Sequence, residues 1–271
     1  MILRLDALGP CRDLVDALWT DPVSSTAFMK DPEDFYQRLD IAFTKKNRLV
    51  FGVFQGAEPT GLFAFLHIKE DRYLEMTAAL SRSADAVREM LVFLEEQYPG
   101  YHVDFVFHPK NRYLKEALAE AGADFAVEQM RMRLLQSPSS AISADIALLS
   151  DNYLPQYCAL HNRDVYWTGE RVAEAPERFR TFLALDQGQV VGYLDITYCD
   201  DENNIFDLLV AEDHRRQGFG RKLLAAAIEM NRPHGMTLEV DVDNAPAIAL
   251  YRSMGFQPIP DQNTQTAGWD M

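Results

Sequence analysis

Residues 203–229 constrain this chain more than any other stretch: a short apolar run, a corner rich in glycine and arginine, and an amphipathic segment follow one another without a break. Ile205 to Val210 supply the strand-like run, interrupted by Asp207. Phe219, Leu223, Leu224, Ala227 and Ile228 then recur at helical spacing, so the period changes from strand to helix across 215–220. Gly218 and Gly220 fall where that helix starts. Lacking Cβ atoms, they let a ligand approach the backbone while the first helical N–H groups are still unpaired. Arg215, Arg216, Arg221 and Lys222 surround the corner, and the helix dipole adds partial positive charge at the same end. The pattern predicts an anion site. No Gly-Lys-Ser/Thr closes it, which excludes a P-loop, and Gly-x-Gly after an arginine does not match a dinucleotide fingerprint.

The surrounding composition makes this corner stand out. The net charge is −15 and the pI near 4.8, which argues against nucleic acid as the main partner, because phosphate-backbone binding needs a basic field. Four cations at one helix start in an acidic chain fit a small phosphorylated ligand better. Asp195, Asp200, Asp201, Glu202, Asp207, Glu212 and Asp213 crowd the stretch before it and are expected to favour a cationic amine as second substrate. No apolar run of membrane-spanning length and no signal-like start are present, so a cytoplasmic protein without a membrane partner, monomeric or homodimeric, is expected. Cys11, Cys158 and Cys199 are odd in number and far apart, and the six histidines form no ligand pattern; free thiols and no metal are expected.

Along the chain, strands are predicted at 1–7, 49–54, 61–68, 73–80, 101–107 and 125–135, and helices at 11–19, 31–46, 83–98 and 111–121. Residues 136–141, Gln-Ser-Pro-Ser-Ser-Ala, read as a linker. The order of elements then repeats: a strand at 145–149, helices at 153–161 and 170–179, a hairpin of 181–185 with 189–197, and the stretch described above. An offset of 133 residues relates Asn111 to Asn244 and Gly122 to Gly255, each pair bounding a helix that precedes a phenylalanine-bearing strand. Such a fixed offset implies a duplicated unit. The expected domains are 1–136 and 143–271, with Trp269 anchoring the last strand of the second.

A second pattern follows the corner: the strand Thr-Leu-Glu-Val-Asp at 237–241, then Asn244, Ala247, Leu250, Tyr251, Gly255 and Phe256. With Arg215-Arg216-Gln217-Gly218-Phe219-Gly220, over about 143–256, the chain resembles the GNAT superfamily of acyl-CoA-dependent N-acyltransferases, whose signature is Arg/Gln-x-x-Gly-x-Gly/Ala after the fourth strand. The resemblance implies an α/β (α+β) fold: two tandem GNAT-like domains, each a mixed, mainly antiparallel twisted sheet flanked by helices. The first copy departs from the pattern. It has Ala-Leu-Ser-Arg-Ser-Ala-Asp-Ala at 79–86 in place of the glycine corner, Asp85 in the first helical turn, and Leu118 at the position of Tyr251. It is expected to be a degenerate copy without a phosphate loop.

The same resemblance implies acetyl-CoA as co-substrate. Amides of Gln217, Gly218, Phe219, Gly220 and Arg221 would bind its pyrophosphate beside Arg215 and Arg216. Leu208, Leu209 and Val210 would pair with the pantetheine arm, with Asn244 and Ala247 alongside. Val210 N–H would face the thioester oxygen, and Tyr251 would be the general acid. The base is left open: Asp207 is the one acid inside the apolar run, but strand alternation puts it opposite Val210, on whose face Asn204 and Phe206 are expected; a water chain or Glu239 is the other choice. The activity implied is transfer of an acetyl group to a primary amine of a small molecule or peptide. A non-catalytic acyl-CoA-binding or interaction protein is the alternative.

Overall fold

Alternation of apolar residues and two well-signalled turns set the strands, and helical stripes cover them. In chain order the elements are β1 (Ile2–Arg4), α1 (Arg12–Leu18), α2 (Pro32–Thr44), β2 (Arg48–Gln55), β3 (Glu58–Ile68), β4 (Tyr73–Ser81), α3 (Ala84–Gln97), β5 (His102–Phe107), α4 (Arg112–Glu120), β6 (Asp124–Phe125) and β7 (Gln129–Leu134). They continue with β8 (Ile146–Leu148), α5 (Leu154–Leu160), α6 (Gly169–Ala173), β9 (Phe179–Asp186), β10 (Gln189–Thr197), β11 (Glu202–Val210), α7 (Phe219–Asn231), β12 (Gly235–Asp241), α8 (Ala245–Ser253), β13 (Phe256–Pro258) and β14 (Gln265–Asp270). The computed structural model describes residues 1–25, 32–136, 142–163, 167–198 and 201–271. Cys199, Asp200 and most of the expected linker lie outside the described residues. No helix among those described is long and apolar enough to cross a membrane.

One unit comprises Met1–Gln129 with Pro260–Met271. Its seven-stranded sheet runs β1-β2-β3-β4-β5-β14-β6. Leu49, Phe51, Phe63 and Phe65 meet Val87, Met90, Leu91 and Leu94 of α3 on one face, and Val50, Leu62 and Ala64 meet Leu14, Val15, Phe35 and Leu39 of α1 and α2 on the other. Ser83 caps α3 by accepting from the Ala86 N–H, as its sequence predicts. The other unit, Met130–Ile259, has the order β13-β7-β12-β11-β10-β9-β8. There Leu194, Ile205 and Leu238 pack on Leu223, Leu224, Ala227 and Ile228 of α7, while Leu183 and Tyr193 pack on Tyr157 and Val172 of α5 and α6. Gln187 and Gly188, at φ 47° and 82°, make the β9–β10 turn, the left-handed pair that suits a twisted hairpin. The fold class is as expected: two mixed, mainly antiparallel sheets, each flanked by helices.

The boundaries differ from 1–136 and 143–271, because each sheet takes a strand from the other part of the sequence. β7 was expected to end the first sheet but stands between β13 and β12 in the second. β14, expected in the second, pairs with β5 and β6 in the first, Trp269 opposite Val103. Side chains explain the exchange: Met130, Met132 and Leu134 fit the α7–α8 core, whereas Ala267 and Trp269 fit the α3–α4 core. The helix expected over 170–179 is also shorter. It stops at Ala173, since Pro176 disfavours helical backbone at the residue before it, and Phe179 already opens β9.

Trp269→Ala should destabilise the unit formed by Met1–Gln129 and Pro260–Met271 by about 3–5 kcal/mol, the cost of emptying an aromatic core site. Calorimetric melting checks this. A variant melting like the parent would refute the placement of β14 inside the first sheet.

Candidate active site

Within each sheet a parallel strand pair is abandoned part-way. β11 pairs with β12 only from Glu202 to Ile205, then bulges at Phe206 while its ladder to β10 continues to Val210. Beyond the bulge, alternate residues point their backbone groups to opposite edges. Ala211 N–H donates to the Val191 carbonyl at 2.9 Å, and the Leu209 carbonyl faces Gly192, so odd-numbered residues serve β10. The amides of Leu208 and Val210 therefore point to the edge that β12 has left. Leu209 is expected beside them as a pantetheine contact, but its amide belongs to β10.

The strand edge leads straight into the corner. Arg216 has φ 65° and Gly218 has φ 89°, left-handed values of the kind that build anion-binding nests of backbone amides. Gly218 is the N-cap of α7 and gives no side-chain cap, so nothing from the cap residue covers the first-turn N–H groups. Gly220 has only 3.2 Å between an ideal Cβ and the Leu250 Cδ2, so this residue also keeps α7 close to α8. The cations surround the corner less freely than expected. Arg215 donates to the Val210 carbonyl at 3.1 Å and pairs with Glu212, Arg221 donates to Ser253, and Lys222 pairs with Asp145. Gln217 donates to the Asp213 carbonyl at 2.9 Å. These contacts are exposed or, for Lys222 with Asp145, half-buried, and readily exchanged.

α8 borders the opening from the far side. Asn244 Oδ1 accepts from the Ala247 N–H at 3.2 Å, capping the helix and leaving its Nδ2 as a donor. Ala247 thus brings only its methyl group to the site. Tyr251 is 7% exposed and stacks edge-on with Phe256; burial and then the Asp207 charge push its hydroxyl up to about 12. Its hydroxyl has no hydrogen-bond partner among the described residues. Glu239 is exposed on the sheet face away from α7, and loss of hydration raises its carboxyl above the ordinary value.

The bulge overturns part of the expected face assignment. Phe206 meets Phe179 at 5.7 Å, and Asn204 accepts from Thr237, so both turn away from Val210, toward the face that carries Asp207. On that face Asp207 lies directly opposite Asp195 across the ladder. Two carboxylates so placed repel unless the protein answers them. Asp195, fully buried, accepts from the Tyr157 hydroxyl at 2.9 Å, from Thr181, and from His161 Nε2 at 3.0 Å. His161 Nδ1 faces the Asn162 carbonyl at 2.8 Å, so both ring nitrogens donate and the imidazole is the charged form. Burial works to lower its pKa, but Asp195 and that carbonyl outweigh it and hold it above the ordinary value. Asp207 accepts from the Tyr193 hydroxyl at 2.7 Å; burial still raises its carboxyl. This network was missed in the sequence. Its signal was Asp195, an acid inside the apolar strand Val-Val-Gly-Tyr-Leu-Asp-Ile. The wider acidic cluster does not converge: Glu202 pairs with Arg133, Glu212 with Arg215 and Asp213 with His214.

The first copy answers the same strand parting differently. β4 pairs with β5 only from Tyr73 to Met76 and bulges at Thr77. Its freed edge is then taken by the chain itself: Ser25 bridges Leu80, and Ser81 N–H donates to the Ser24 carbonyl at 2.9 Å. Asn111, which caps α4 as Asn244 caps α8, donates its Nδ2 to the Ser25 carbonyl at 3.1 Å. Only Arg82 and Ser83 separate β4 from α3, so the corner is absent, and Leu118 is fully buried where the second copy has Tyr251. The copy is degenerate because its slot is filled.

The acetyltransferase (GNAT) family profile matches residues 146–256. A ribosomal protein bS18-alanine N-acetyltransferase of Escherichia coli is 37% identical over 83 residues, covering 30% of this chain and 56% of that protein. An N-alpha-acetyltransferase of Sulfurisphaera tokodaii is 30% identical over 114 residues, covering 36% of this chain and 67% of that protein. The chain thus spans little more than half the length of the first of these relatives. Among solved structures, a tandem GNAT protein from the clavulanic acid biosynthesis pathway aligns over 100% of this chain and 98% of its own, with TM-score 0.61 and 15% identity. The chain belongs to the GNAT acetyltransferase family. Its fold is that of a tandem GNAT-like protein, and its N-terminal copy has no glycine corner between β4 and α3.

Because the folded pKa of His161 lies above its unfolded value, its ion pair contributes fully below the unfolded pKa and is lost as pH rises through the folded one. The melting-temperature gap between the parent and His161→Gln should therefore be widest near pH 6 (about the ordinary histidine pKa) and shrink toward pH 9. A gap that is flat or grows with pH would contradict the charged assignment.

Proposed function

We propose that the C-terminal half moves an acetyl group from acetyl-CoA directly to a primary amine of a small molecule or peptide. One observation carries this reading: the strand edge that β12 abandons runs directly into an uncapped, left-handed corner, so one line of backbone amides serves both an extended chain and a diphosphate. The donor supplies an activated acyl group and a thiolate leaving group. Amides of Gln217–Arg221 hold the diphosphate, with Arg216 and the exchangeable Arg215 adding charge. Asn244 Nδ2 and the Leu208 edge, whose N–H also faces Asp207, hold the arm, and Val210 N–H is aimed at the oxygen on which charge develops.

The amine reaches the opening from the face of Asp207, since the α7 face is packed core. The ammonium first gives one proton to Asp207, which frees the nitrogen lone pair; the N–C bond then forms as the C–S bond breaks. Tyr251 protonates the departing sulfur and recovers the second amine proton through solvent. Both groups have raised pKa values, Asp207 toward a useful base and Tyr251 remaining protonated at neutral pH.

The test is thiol release from acetyl-CoA across a panel of small amines and peptide N-termini. Release with any amine supports the enzyme. Tight binding without release on all of them would favour an acyl-CoA-binding protein. Tyr251→Phe should lower kcat by about a hundredfold with binding changed less than about twofold; an unchanged rate would remove it as the acid. Gly218→Asp places a carboxylate in the corner and a side chain at φ 89°, and should weaken CoA binding by about a hundredfold in calorimetry while the parent binds one CoA per chain. Equal affinities would sink the phosphate corner.

A further inference from the structure

We propose that Tyr193 is a positioning residue for this reaction: its hydroxyl fixes the Asp207 carboxylate at the strand bulge and sets the pH at which that carboxylate accepts the amine proton. The inference rests on Asp207 being the base. The orientation of the hydroxyl is forced. Its oxygen accepts the Asn162 N–H at 3.2 Å, so its own proton goes to Asp207 Oδ2, 2.7 Å away. The ring itself is fully buried and cannot drift. It stacks on His161 at 4.6 Å and 13° and meets Tyr157 edge-on at 5.4 Å.

Its neighbours give the arrangement a purpose beyond packing. From β10, Asp195 repels charge on Asp207; from the end of α5, His161 attracts it; on β11 itself the Leu208 N–H favours the carboxylate; and from α8, Tyr251 is the titratable group that responds to it. Asp195 has three donors of its own, whereas Tyr193 is the one side chain hydrogen-bonded to Asp207 among the described residues. A half-buried carboxylate with one side-chain donor and one backbone donor is held in place yet keeps lone pairs for an incoming proton. Asp195, saturated and sealed, cannot do this.

Tyr193 stabilises the charged carboxylate, so its loss raises the Asp207 pKa. In Tyr193→Phe the acid limb of kcat/KM should move up by about one pH unit, roughly a tenfold loss on the acid side, with the alkaline plateau within about threefold of the parent. Tyr157→Phe, which removes an equally buried hydroxyl from Asp195, should lower the melting temperature without moving that limb. An unmoved limb in Tyr193→Phe, or equal shifts in both variants, would overturn the proposal. Asp207→Asn separates the two ideas: if it keeps the parent kcat/KM, Asp207 is not the base and the reading beneath falls instead. Should Tyr193→Phe not fold, NMR of the intact protein with ¹³C-labelled aspartate decides. A protected Tyr193 hydroxyl proton that disappears as Asp207 titrates supports the assignment, and one that is absent, or indifferent to that titration, overturns it.

Discussion

A parallel strand pair that parts after four residues leaves one edge of an inner strand with backbone groups to satisfy, and the rest of each copy is arranged around how that edge is answered. In the first copy Ser24 and Ser25 lie along it and Asn111 clamps the second serine's carbonyl. In the second copy β11 offers the amides of Leu208 and Val210 to an edge that no described strand pairs with past Ile205, with Arg215 on the Val210 carbonyl. The two asparagines cap their helices identically, each through Oδ1, so the Nδ2 of Asn244, without a partner among the described residues, stands where Asn111 holds a peptide carbonyl. One geometric defect therefore yields a plugged slot in one copy and a receptive one in the other.

The bulge that accompanies the parting has a second consequence. By inserting Phe206 it turns Ile205 to the α7 core and brings Asp207 opposite Asp195, a pairing that burial makes costly. The end of α5 resolves it by placing the charged His161 against Asp195 and the Asn162 amide against Tyr193. Cavity or charge changes in this cluster thus act on Asp207 even where they touch no substrate.

Local pattern made much of this legible. Helical stripes, the Ser83 cap, the two hairpins and the arginine-glycine corner are determined by residues a few positions apart, and the structure has them where the sequence puts them. Features set by distant pairing were not legible. Residues 129–134 and 265–270 both alternate like ordinary strands, and nothing local says which core Met132 or Trp269 will enter. Strict alternation also misplaced Asn204 and Phe206, because a bulge adds one residue to the count. The acidic run before the corner suggested a collective field for an amine, yet most of its members are taken by Arg133, His214, Arg215 and the buried cluster.

The division between legible and illegible parts follows from what each half of the site is made of. The proposed donor half is built from backbone: a corner with two left-handed residues, a strand edge and a helix end. Only glycine and a few spacings are needed to specify it, so it shows as a motif and tolerates many side chains around it. The proposed acceptor half is built from side chains, Asp207, Tyr193, His161 and Asp195, drawn from two strands and one loop position. Its selectivity resides in packing and hydrogen-bond direction, which no short spacing encodes. On the proposed reading, substitutions on the α5–α6 face would change the acceptor half and leave the amides of the corner untouched.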